Sequence, residues 1–258
     1  MKLSWYGTAA VMIEHNGYRI VFDPFLGMPL DEEPFRREKL AAKLRCADAV
    51  LVTHGHFDHI YDIPYLFNNS DKEIYATATP CKTLREKGMG ENLRLIAPGD
   101  SFTPGGMKIT VYQGRHCKFD LGVVKKTLFK KDTVRHPDKL LKLWMINKSY
   151  DENGEILFYE IEADGKRVQL MGSMGMDTDT DYPINADALV LPFQGTGDPS
   201  ASVKPIVEKL QPKAIYLDHY DDAFPPMSSQ VETNGFVTAM HKKGIPAVAM
   251  EYGKTYQI

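Results

Sequence analysis

Short apolar runs, each broken by glycine, proline or an Asx turn, recur along this chain from end to end. Residues 3–5, 11–14 and 18–22 are rich in β-branched and aromatic side chains, and Asn16-Gly17 between the last two is a strong tight-hairpin signal, so the chain opens as a β-meander. Residues 25–35, with Pro29 and Pro34, read as a loop, and 36–44 reads as a helix with Leu40 and Leu44 on one face. The continuous apolar run 47–52 predicts a buried strand. A strand over 73–77 follows, then a helix capped by Thr79 with Pro80 at its first position and stopped by Gly88. Strands are expected at 93–96 and 108–112. A second meander is read at 143–147, 156–161 and 167–171, its turns made by Asn153-Gly154 and Asp164-Gly165. The chain then alternates again: strand 188–192, helix 203–210, strand 214–217, helix 231–242, and strands 247–250 and 255–258. A meander followed by strand–helix alternation, twice over, predicts the α/β class. No short repeat, low-complexity tract or phosphate-cradling glycine loop is present.

Composition narrows the function classes. A chain of 258 residues with 43% apolar content can bury a large core as one domain. A net charge of −3 with 25% charged residues is neither a polycation made for nucleic acid nor an acidic tail. The N-terminus turns polar too soon for a secretory segment, and no apolar run approaches the roughly 20 residues of a membrane span, so a soluble cytoplasmic protein without a membrane partner is expected. Cys46, Cys81 and Cys117 are widely spaced and read as reduced thiols. Charge is uneven: residues 118–148 hold nine Lys or Arg against three Asp. This basic insertion at about 117–148 reads either as a solvated excursion or as a rim drawing a small anionic substrate to the site. Stacking aromatics are sparse there, limited to Phe119, Phe129 and Trp144, so nucleic acid is not the expected partner. A homo-oligomer is the expected assembly.

The chemistry concentrates in Thr53-His54-Gly55-His56-Phe57-Asp58-His59, directly after the predicted buried strand 47–52. Imidazole suits zinc and carboxylate suits harder ions, so this cluster can hold one divalent metal or two neighbours, zinc first, with manganese or iron as alternatives. Gly55 is expected to let the backbone bend between His54 and His56. His116 and His219 also follow predicted strands and are the further ligand candidates, whereas His136 reads as a non-ligand. Asp23, ending the third strand, and Asp218, beside His219, are the candidates for fixing ligand tautomers through the rear ring nitrogen. A Ser-His-Asp reading finds no base partner for Ser173 outside the cluster.

His54-x-His56-x-Asp58-His59, then His116 and His219, resembles the metallo-β-lactamase superfamily. The likeness is to its metal-dependent hydrolases, ascorbate phosphate lactonases among them. It extends to Trp5-Tyr6-Gly7-Thr8-Ala9-Ala10, Asp23-Pro24, Leu191-Pro192-Phe193-Gln194-Gly195 and Pro212-Lys213-Ala214. The resemblance implies a four-layer αβ/βα sandwich of two similar halves, with metals in a groove along one edge of the sheets. It implies one metal on His54, His56 and His116 and another on Asp58, His59 and His219, with Asp58 also acting in catalysis. One departure stands out: the family's Gly-Asp, whose carboxylate bridges the metals, is here Gly172-Ser173. A neutral serine replaces that carboxylate poorly, so the expected outcomes are that the second metal binds weakly or not at all, that Asp177 swings in, or that a substrate oxygen supplies the bridge. The expected activity is metal-dependent hydrolysis of an ester, lactone or phosphoester bond in a small anionic molecule. The competing readings are a phosphodiesterase or nuclease, a metal-binding ligand sensor with little turnover, and diiron redox chemistry.

Overall fold

The computed structural model describes residues 1–27, 34–117, 130–225 and 227–258, with the side chains of 34–36 and 132 left aside. Most of the loop expected over 25–35 and the whole of 118–129 lie outside the described residues.

Two meanders, each continuing into a parallel half-sheet, form the two halves of the molecule. In the first, β1 (Lys2–Trp5), β2 (Val11–His15) and β3 (Tyr18–Phe22) run antiparallel, and β4 (Ala49–Leu51), β5 (Glu73–Ala76) and β6 (Leu93–Leu95) continue in parallel. Strand β15 (Thr255–Gln257) closes the far edge against β1. In the second half, β7 (Ser101–Phe102), β8 (Lys108–Arg115), β9 (Leu157–Ala163) and β10 (Lys166–Met171) are antiparallel neighbours. Strand β11 (Gly175–Met176) flanks β8, while β12 (Ala188–Pro192), β13 (Ile215–Asp218) and β14 (Ala247–Ala249) extend the sheet in parallel.

The period of two along each strand sorts side chains into layers. Ile20, Phe22, Ala49 and Leu51 face inward and meet Val111, Leu157, Tyr159, Val168, Leu170 and Val190 of the other sheet. Val21, Val50 and Val52 face outward and meet α1 (Pro34–Leu44), α2 (Phe57–Ile60), α3 (Ile63–Phe67) and α4 (Ala78–Glu86) through Leu40, Leu44, Ile60, Phe67 and Leu84. Leu189 and Leu191 likewise face α7 (Pro199–Leu210) and α8 (Asn234–Lys242) through Val203, Ile206 and Met240. The result is the four-layer αβ/βα sandwich. Among the described residues no helix is long and apolar enough to cross a membrane.

Between β8 and β9 the described part of the basic segment forms α5 (Lys131–Arg135) and α6 (Pro137–Asn147). Residues 143–147 therefore belong to a helix, where the sequence predicted a strand. Pro137 and Asp138 sit in its first turn, and Leu140, Leu143 and Ile146 recur at three-residue spacing and pack on the core that holds Phe57 and Tyr150. Helix α4 also begins two residues early, with Thr77 as N-cap. Thr79 instead donates its N–H and hydroxyl to Glu155, both at 2.8 Å. The Asn153-Gly154 turn exists in the left-handed conformation, but it follows a helix and leads into β9.

Candidate metal centre

Each candidate ligand leaves the carboxyl end of a strand or follows directly from one that does. Strand β3 ends in Asp23, β4 in Thr53-His54, β8 in His116 and β13 in His219, so the sheet edges converge on one place. Two donor groups form there. One comprises His54, His56, His116 and Glu152, the other Asp58, His59 and His219, each group's donor atoms lying within 4.8 Å of one another. They abut through His54 and His59, whose ring centroids are 3.9 Å apart.

The rings are aimed from behind. His59 Nδ1–H donates to Asp23 Oδ2 at 2.8 Å, and His219 Nδ1–H donates to Gln194 Oε1 at 3.1 Å. His116 Nδ1–H donates to the Cys117 carbonyl at 2.9 Å. Thr53 Oγ1–H donates to Asp23 Oδ2 at 2.5 Å and accepts from His54 Nδ1–H at 3.0 Å. Asp23 thus orders one ring in each group, and it is held in turn by the Thr53 N–H at 2.8 Å. These bonds fix the tautomers and leave the Nε2 atoms of His54, His59 and His219 for a ligand, the usual arrangement around a bound metal.

The spacing fits an ion. Two donors each about 2.05 Å from a tetrahedral zinc are about 3.3 Å apart. His54 Nε2 and His56 Nδ1 are 3.2 Å apart, and His219 Nε2 and Asp58 Oδ2 are also 3.2 Å apart. His59 Nε2 lies 3.7 Å from Asp58 Oδ2.

His219 has φ +51°, a left-handed conformation that costs free energy in a residue with a Cβ. It is held by the Thr8 carbonyl, which accepts the His219 N–H at 2.9 Å, while the Thr8 N–H donates to the Asp221 carboxylate at 2.9 Å. Such strain maintained by a buried network is common at functional sites.

A model of the beta-lactamase superfamily domain matches residues 18–219. The chain belongs to this superfamily. It is 26% identical over 266 residues to a UPF0173 metal-dependent hydrolase of Polynucleobacter asymbioticus, covering 99% of this chain and 86% of the relative. In fold it is similar to Igni18, a metallo hydrolase from the archaeon Ignicoccus hospitalis, with a TM-score of 0.66 and 20% identity over 100% of this chain and 98% of the other. It is also similar to CmlA, a diiron β-hydroxylase from Streptomyces venezuelae, with a TM-score of 0.64 and 15% identity over 100% of this chain and 54% of that one.

Against the superfamily pattern, three residues need comment. Ser173 Oγ accepts the Cys117 N–H at 3.0 Å, and Asp177 belongs to neither donor group. The Asp177 carboxylate is engaged by Arg115, 2.8 Å from Nε and 2.7 Å from Nη2, and by the Thr180 hydroxyl at 2.9 Å. Asp218 does not orient His219; Gln194 does. Asp218 is buried, its Oδ1 has no hydrogen-bond partner among the described residues, and burial pushes its carboxyl up to about 8. Two residues were missed from sequence. Gln194 follows a buried strand without any metal signal of its own, and Glu152 directly precedes the Asn153-Gly154 turn, where it reads as an ordinary turn residue.

Gly55 has a different reason from the one expected. Its φ is not positive; a Cβ there would lie 1.9 Å from the Asp151 carbonyl oxygen. Glycine is required because the loop carrying Glu152 passes directly over it.

The metal-free electrostatics differ between the groups. Burial, reinforced by His59 and His56, holds His54 well below the ordinary imidazole value, and burial takes His56 down to about 4. For His219 burial also lowers the value, but Asp58 outweighs it and carries the ring up to about 9. Burial raises the Asp58 carboxyl, and His59 and His219 more than offset this, holding it well below the carboxylate range. Imidazole ligates only when neutral, so loading the Asp58 group expels the His219 proton at any pH below about 9. Rising pH therefore favours binding: affinity at this group is expected to climb about tenfold per pH unit from 7 to about 9 and then level off. His54 and His56, neutral at pH 7, add no such slope. Calorimetric titration in buffers of different ionisation enthalpy should count about one proton released by the ion that enters the Asp58 group. For Asp23→Ala, loss of the rear partner of His59 and Thr53 should weaken metal affinity about 10–100-fold, read by competition with a chromophoric chelator.

Proposed function

We propose that this chain is a metal-dependent hydrolase that cleaves an ester, lactone or phosphoester bond in a small anionic molecule, with Asp58 acting directly in the reaction. The observation that carries this reading is the convergence of two donor groups, with ring nitrogens aimed at ligand spacing, in a superfamily whose curated relatives are named metal-dependent hydrolases. A divalent ion bound there supplies hydroxide at neutral pH and polarises the scissile bond as a Lewis acid. The chain's own residues do the rest. His54, His56 and His116 hold one ion, and Asp58, His59 and His219 the other. Asp58, whose carboxyl rests ionised, orients the attacking oxygen, accepts its proton as the new bond forms and passes that proton to the leaving group as the old bond breaks. Asp23, Gln194 and the Cys117 carbonyl keep the rings in register through the reaction.

The donor chemistry suits zinc, and the carboxylates beside the imidazoles suit manganese or iron as well. A small anionic substrate is favoured by the basic flank: Lys87 stands 4.6 Å over the Tyr150 ring, and Lys142 lines the same surface pocket with Tyr61 and Ile146. Tyr150 packs against Phe57, the residue next to Asp58, and Tyr61 packs against Tyr150, so this flank borders the site. The test is turnover of a panel of chromogenic esters, lactones and phosphoesters before and after chelation. The reading expects a rate abolished by chelator and restored by one added divalent ion; a chelator-insensitive rate, or none on the whole panel with metal loaded, contradicts it.

A further inference from the structure

The site has too little negative charge if only the six sequence-predicted ligands are counted. Asp58 is their single carboxylate, against two dications. The position at which the superfamily pattern supplies a second carboxylate is Ser173, whose hydroxyl is already engaged by the Cys117 N–H at 3.0 Å. Asp177 is committed to Arg115 and Thr180. A substrate oxygen cannot complete the resting site.

Glu152 answers this shortage. Its carboxylate shares the 4.8 Å donor group with His54, His56 and His116; its Oε2 lies 3.7 Å from His56 Nε2, while the Nδ1 of the same ring is the nitrogen 3.2 Å from His54 Nε2. That oxygen is buried and has no hydrogen-bond partner among the described residues. A desolvated carboxylate oxygen without a partner is costly, and a cation at this place removes the cost.

The position of Glu152 is built into the fold. On one side Tyr150 is buried in the core beside Phe57; on the other Glu155 is anchored to Thr79, and the Leu157 N–H donates to the Thr53 carbonyl at 2.9 Å. Between these anchors the Asp151 carbonyl passes over Gly55, at the centre of the His54-Gly55-His56 triplet, where no larger residue fits. The fold thus brings this loop down onto the two histidines.

We propose that Glu152 is the fourth protein ligand of the ion held by His54, His56 and His116, supplying from the β8–β9 connection the carboxylate that position 173 lacks. This rests on the metal-dependent reading above. It has a structural consequence: four protein donors close the first position, whereas Asp58, His59 and His219 leave the second one open, as catalytic positions are. Substrate therefore engages the Asp58 side.

The experiment is a titration of metal-free protein with Zn(II) in competition with a chromophoric chelator, on the wild type, Glu152→Gln, Glu152→Ala, Asp151→Asn and the double variant Glu152→Ala with Ser173→Asp. The wild type and Asp151→Asn are expected to bind two ions with equal affinities. Glu152→Gln and Glu152→Ala are expected to keep one affinity and lose about 100-fold or more in the other, beyond the range seen when only an outer partner of a ligand is removed. Ser173→Asp in the Glu152→Ala background is expected to recover at least tenfold of that loss. Thermal unfolding of the metal-free proteins separates ligation from misfolding, because Glu152→Gln should melt with the wild type. If both Glu152 variants keep both affinities within about twofold, or if Asp151→Asn loses as much as they do, Glu152 is not a ligand, while the hydrolase reading stands. If the wild type binds no ion, both readings fall together.

Discussion

Asp58→Ala folds, carries one divalent ion fewer per chain and turns over its best substrate slower by on the order of 10³-fold. The expectation follows from what Asp58 touches. It is the carboxylate of the second donor group, 3.2 Å from His219 Nε2 and 3.7 Å from His59 Nε2. Without it two neutral imidazoles remain, too few to hold an ion tightly, and the group that orients the attacking oxygen is gone. The fold has little stake in this side chain, since its neighbours in the short helix α2, Phe57 and Ile60, make the core contacts. Metal analysis and steady-state kinetics on the same preparation check both halves. A variant retaining two ions, or a rate within tenfold of the wild type, would contradict the role given to Asp58.

Gly55→Ala should damage the first donor group without altering a ligand. The new methyl carbon would fall 1.9 Å from the Asp151 carbonyl oxygen and 3.0 Å from its carbon, and both are backbone atoms that cannot rotate away. Either the loop lifts, removing Glu152, or the His54–His56 triplet is displaced. Overpacking of this kind costs about 1–3 kcal/mol, and here it should also weaken the first ion by at least about tenfold. Gly90→Ala is the control, because nothing lies within 4 Å of its new carbon and it should stay within about 0.5 kcal/mol of the wild type. Thermal denaturation and the chelator competition read the two effects. Wild-type stability and metal affinity in Gly55→Ala would show that the loop does not sit where described.

The parts of this protein legible in its sequence are those set by local period and by strand ends. The runs 18–22 and 47–52 could be read as strands, and in the packing Ile20, Phe22 and Leu51 face one side while Val21 and Val50 face the other. The candidate ligands His54, His56, Asp58, His59, His116 and His219 could be picked out because they follow strands that the apolar runs reveal. What failed depended on neighbours distant in sequence. Residues 143–147 have the composition of a strand, but Leu140, Leu143 and Ile146 make a helical stripe only in relation to Phe57 and Tyr150. Asp218 sits beside His219 in sequence, yet the strand alternates its side chain away, and Gln194 from the adjacent β12 end reaches the ring. Gly55 was singled out for its backbone freedom, whereas the cause is the crossing of a loop nearly a hundred residues on. Glu152 arrives by that same crossing, which no local pattern announces.

The central claim is that this chain holds two divalent ions on residues from both halves of the fold. The measurement is metal content per chain by mass spectrometry, after reconstituting the stripped protein with excess Zn(II) and removing unbound metal. The account predicts two ions per wild-type chain and one for Asp58→Ala. A wild type carrying one ion or none, or a count unchanged by Asp58→Ala, would contradict it.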